Sequence, residues 1–99
     1  MKIWEIVRLI EESPVKAISY HDSSDVTFET PEGHTFDVFF DCGEPDYLHW
    51  LSVKGGERVN FWAEHHGHNS AAYLASNLIA MPHVSERLKQ AAIRAGFTL

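Results

Sequence analysis

The chain has a single cysteine, Cys42, so no internal disulfide can staple it, and a lone thiol fits a reducing compartment. It lacks any apolar run near the roughly 20 residues that a membrane-spanning helix needs. Its opening stretch, MKIWEIVRLIEES, mixes acids into the apolar residues and has no small-residue cleavage site, which argues against a secretory signal. A cytoplasmic protein without membrane attachment is therefore expected. Basic residues are missing as well: between Lys16 and Lys54 there is no Lys or Arg. No His-Glu-x-x-His motif occurs. The only glycine pair, in KGGE, lacks the buried strand before it and the helix after it that a phosphate loop requires.

What is present is a 99-residue chain, enough for one α+β domain over residues 1–99 with a modest core. Apolar residues make up 44%, and the six Phe, three Trp and three Tyr give that core bulk. The net charge of -6 is unevenly spread. Residues 20–64 hold ten acids (Asp22, Asp25, Glu29, Glu32, Asp37, Asp41, Glu44, Asp46, Glu57 and Glu64) against Lys54 and Arg58 alone. Such a block repels nucleic acid and attracts basic surfaces.

The periodicity changes along the chain. Ile3, Ile6, Val7 and Ile10 follow helical spacing, with Trp4 and Leu9 widening the stripe, and Ser13-Pro14 ends the helix. From Val15 the period is two. VKAISY and VTFET read as strands around a DSSD turn. PEG turns into HTFDVFF, DCGEPD is a polar loop, and YLHWLSV and RVNFWAE flank KGGE as a hairpin. Helical spacing returns at Ala71, Leu74, Ala75 and Leu78, with Asn69 or Ser70 as N-cap. After MPH, Ser85 is expected to cap a last helix striped by Leu88, Ala91, Ala92 and Ala95 and closed by Gly96 and Phe97. The expected fold is an N-terminal helix, a five-stranded antiparallel meander and two C-terminal helices packed on the sheet.

Alternation places Phe36, Val38 and Phe40 on one face of the third strand and Asp37, Phe39 and Asp41 on the other. The fourth strand is ambiguous, since Tyr47, His49, Leu51 and Val53 alternate against Leu48, Trp50 and Ser52. In the fifth, Val59 faces the core and Asn60, Trp62 and Glu64 face away. If the helices cover one face only, Phe39, Trp50 and Trp62 line the other among carboxylates, the composition of a binding hot spot.

Catalytic chemistry is thinly supported. The cluster His65, His66, His68 could offer a metal two imidazoles, His66 and His68, with Glu64 on that side. Further ligands from His49, His83, Asp41 or Cys42 are not positioned by any motif. Cys42 with a remote histidine has no local signature, and Asp41 with Glu44 suggests glycoside hydrolysis only where a sugar cleft exists. No cofactor is expected.

The expectation is a non-enzymatic protein-binding domain. Glu29, Glu32, Asp37, Asp41, Glu44 and Asp46 would pair with Lys and Arg that normally bind phosphate, as on a nuclease or nucleic-acid-binding complex. Phe39, Trp50 or Trp62 would be the desolvated anchor, with Glu64 at the rim. In size and charge the chain is similar to bacterial immunity proteins and to phage-encoded inhibitors of host nucleases or defence complexes. That resemblance implies occlusion of a partner's basic surface. Two alternatives stand beside it: a small metal-binding domain or hydrolase using His65–His68, and a self-associating module, for which a homodimer is expected.

Overall fold

The computed structural model describes residues 3–21, 25–60 and 77–98. The order is α1 (Ile3–Glu12), β1 (Lys16–Tyr20), β2 (Asp25–Glu29), β3 (Thr35–Asp41), β4 (Glu44–Ser52) and β5 (Arg58–Asn60). Two helices follow: α2, described over residues 77–79, and α3 (Pro82–Arg94). The strands lie side by side in chain order, each antiparallel to the next, so the expected α+β meander is what forms. No helix among the described residues is long and apolar enough to cross a membrane.

One sheet face is apolar because alternate residues make it so. Ala17, Val26, Phe28, Phe36, Val38, Phe40, Leu48 and Leu51 are buried there. They meet Leu9 and Ile10 from α1, Leu78 and Ile79 from α2, and Val84, Leu88, Ala91 and Ala92 from α3. Phe28 stands at the centre, its ring 5.5 Å from Phe36 and 6.3 Å from Phe40. Burying one such ring contributes about 1.5–3 kcal/mol. The rest of the expected α1 stripe, Ile3, Trp4, Ile6 and Val7, lies outside the described side chains.

Both ends of α3 differ in how well they were anticipated. The helix begins at Pro82 with Met81 as an extended N-cap, so Ser85 is not the cap but a buried residue in the first turn. Proline has no N–H to donate and costs nothing at the first helical position, where that donor would be unpaired. At the other end Gly96 has φ 87°, and the N–H groups of Gly96 and Phe97 donate to Ile93 and Ala92 at 2.9 and 3.1 Å. This is the expected glycine-closed terminus, and Phe97 packs on the core. The guanidinium of Arg87, midway along α3, donates to the backbone carbonyls of Ile10 and Glu11 and so satisfies the end of α1. The expected cap at Asn69 or Ser70 lies outside the described residues.

The expected polar loop DCGEPD is instead a two-residue hairpin turn. Cys42 and Gly43 both take positive φ, 53° and 80°, and Asp41 pairs directly with Glu44. Mirror-image turns of this kind match the twist of the strands they join. Strand β4 therefore starts at Glu44, and Pro45 lies buried opposite Phe40. Its missing donor is tolerated because a bulge follows at once.

Candidate functional site

Opposite the core, the sheet presents a second face, and two bulges in β4 decide what reaches it. Asp37 pairs with Trp50 and Val38 with Leu48, leaving His49 without a ladder partner. Phe39 pairs with Tyr47 and Phe40 with Pro45, leaving Asp46 without one. A bulge lets two successive residues point the same way. Tyr47, His49 and Trp50 consequently share the outer face with Asp37 and Phe39, while Leu48 and Leu51 remain in the core. The ambiguity of the fourth strand is resolved by this extra residue.

The side chains on this face form one connected array. The Phe39 and Tyr47 rings stack at 4.9 Å with 13° between their planes. Tyr47 meets the His49 ring at 6.0 Å edge to face, and His49 lies 5.8 Å from Trp50. The Arg58 guanidinium sits 4.0 Å over the Trp50 ring, a cation–π contact. His49 also donates from Nδ1 to Asp25 Oδ2 at 2.7 Å, the carboxylate fixing which nitrogen carries the proton. Asp25 belongs to β2 and His49 to β4, so their bond crosses β3 above Val38, whose side chain points into the core. Asp25 is buried, and its Oδ1 accepts no hydrogen bond among the described residues.

A polar chain runs alongside. His21 Nε2 lies 3.2 Å from Ser19 Oγ and 3.3 Å from Thr27 Oγ1, and Thr27 donates to Asp37 Oδ1 at 2.7 Å. Arg58 approaches the other oxygen of Asp37 at 3.9 Å. Burial, then the charges of Asp25 and Asp46, push the Tyr47 phenol above its ordinary pKa.

Of the residues singled out from sequence, Asp37, Phe39 and Trp50 come together on this face. Asp41, Glu44 and Asp46 gather at its β3–β4 end, where Glu44 pairs with Lys89 at 3.1 Å. Lys89 also meets Glu86 at 3.3 Å. Glu29 lies at the far end beside Lys16, 3.6 Å away, and Glu32 is exposed on the β2–β3 turn. The carboxylates thus flank an aromatic centre from two sides. Trp62, Glu64, His65, His66 and His68 lie outside the described residues. Among the described residues no three metal-ligating side chains converge: His49 is bonded to Asp25, and His83 is exposed at the start of α3. The Cys42 thiol is pushed up by its hydrogen bond to Asp41 and by that carboxylate's charge, which keeps it protonated and a poor nucleophile at neutral pH.

Asp25, Thr27, Tyr47 and Arg58 were not anticipated as site residues, and His49 was considered only as a remote metal ligand. Arg58 carried a signal, being one of two bases inside the acidic block; Tyr47 and His49 depend on the bulged register of β4, and Asp25 and Thr27 on β2 beginning within the turn-like DSSD segment, neither of which composition encodes. Together these features define a small α+β domain with a hydrogen-bonded, aromatic-centred sheet face rimmed by acids. Comparison of the chain with protein-family models, characterised proteins and solved structures gives no match in any of the three.

Proposed function

We propose that the protein is a non-enzymatic binding domain of a reducing, cytoplasm-like compartment. Its outer sheet face docks on a basic, nucleic-acid-binding surface of another protein and occludes it, as immunity proteins and phage inhibitors do. The observation that carries this reading is the stacked Phe39–Tyr47 pair, tied by His49 to the neighbouring strands, with exposed Asp41 and Asp46 at its rim. Hot spots have this form: a rigid aromatic anchor ringed by polar groups. The rim carboxylates steer a cationic partner, and the pre-ordered centre loses little side-chain entropy on docking. Lys16, Arg58 and Lys89 stand within 4 Å of Glu29, Asp37 and Glu44 and offset their charge, so the exposed Asp41 and Asp46 set the negative field at the rim.

The test is to recover a partner on the immobilised domain at low salt, purify it, and titrate it by calorimetry at rising salt. Affinity should fall steadily with salt, nucleic acid should compete, and Asp41→Lys with Asp46→Lys should weaken binding by about tenfold or more. A partner that binds independently of salt and tolerates both reversals would sink the proposal.

A self-associating module is the second reading, favoured by Ile18, Tyr20 and Ile93, which are exposed along the β1 edge and α3. The bulge at Ile18 and the charge of Lys16 both discourage edge-to-edge pairing, which is why it ranks second. Sedimentation across a concentration series separates the two.

A further inference from the structure

Among the described residues one carboxylate is buried, Asp25, at 7% exposure. Its Oδ2 takes the Nδ1–H of His49 at 2.7 Å, and its Oδ1 accepts no hydrogen bond among the described residues. A buried carboxylate oxygen with no donor is costly to keep, and a group left in that state has capacity for a donor brought from outside. The surroundings say what that donor is. Phe39 is the ladder neighbour of Asp25, and Tyr47 stacks on Phe39, so an aromatic wall stands beside the carboxylate. The charges of Asp25 and Asp46 both bear on Tyr47, so the field at this wall is negative. His49, with 26% of its side chain exposed against 11% for Asp25, is the more accessible member of the pair.

We propose that Asp25 is the receptor for one arginine side chain of the partner, whose guanidinium takes both carboxylate oxygens, displaces the His49 imidazole and lies along the Phe39–Tyr47 rings. This rests on the docking reading above and names the group that the face recognises. One hydrogen bond breaks, from His49 to Oδ2, and two parallel ones form, to Oδ1 and Oδ2. Arginine fits where lysine does not. Its planar fork matches a carboxylate bidentately, it stacks on aromatic rings, and its weaker hydration suits a buried site.

The probe is N-acetylarginine amide, followed by NMR of the whole protein, with the lysine and the uncharged citrulline analogues as controls. The expected result is saturable shifts of the His49, Phe39 and Tyr47 ring signals with the arginine compound. The lysine analogue should bind about fivefold or more weakly, and citrulline should produce no shift. Asp25→Asn should abolish the response. Because that change alters a buried charge, Phe39→Leu is the companion variant and should weaken it severalfold while the core signals stay in place. An equal response to citrulline overturns the inference, as does an unchanged response in both variants or an unmoved His49 signal at saturation. Salt-dependent partner binding without the arginine response removes this receptor and leaves the docking face standing. The arginine response without any basic partner does the reverse.

Discussion

Burial, then the charges of Asp25 and Asp46, make Tyr47 keep its proton more tightly in the folded protein than in the unfolded chain, where the ordinary value is 10.0. The folded state therefore binds more protons in the window just above that value, and stability falls as pH rises through it. Lys89 adds in the same direction from 10.5 upward, because its hydrogen bond to Glu44 raises its pKa. Tyr47→Phe should flatten the start of this alkaline loss and leave the Lys89 part in place. Denaturant midpoints measured from neutral pH upward check it, and parallel curves for the two proteins would refute it. Residues of this kind were the hardest to anticipate. Asp25 sits in DSSD, whose Asp and Ser content is turn chemistry, yet it is the first residue of β2. Phe39 and Asp37 were legible because β3 alternates without interruption along its own length.

Arg87 shows how elements are joined. Its guanidinium closes the carbonyl end of α1 from the middle of α3, where burial lowers its pKa against the pull of Glu11. Arg87→Met keeps the length and apolar stem but removes the donors, leaving carbonyls at the end of α1 unsatisfied. It should cost about 1–3 kcal/mol. Urea denaturation should show a lower midpoint with an unchanged slope, whereas a midpoint equal to wild type would mean that water serves those carbonyls equally well. Element order and strand pairing were readable from period and turn residues, since a run such as HTFDVFF has one buried face and only one workable register. Two elements were not. Pro45 reads as a strand breaker and hid the Cys42–Gly43 hairpin, and Pro82 reads as a helix breaker although it opens α3.

Across the whole molecule, the proposed docking makes net charge the decisive quantity. Seven histidines stand against a net charge of -6, so full protonation reverses its sign. Imidazoles as a class titrate near about 6.5, which places the reversal in mild acid. Affinity for a basic partner should drop severalfold between neutral pH and about pH 5, with electrophoretic mobility reversing over the same range. Binding that holds steady while mobility reverses would show that the contact is apolar rather than electrostatic.

The bulges carry one more consequence. Ile18, Asp46 and His49 are each the unpaired member of a register shift. Deleting any one of them closes a gap in the ladder and leaves every other strand residue on the face it already occupies. Loss of a residue inside a strand ordinarily inverts all that follows; here it regularises the sheet. Two of the three, Asp46 and His49, flank Tyr47. Asp46 and His49, the rim acid and the polar tie of the proposed docking face, are thus insertions into a ladder that pairs without them, gained or lost by single-residue indels while the scaffold endures.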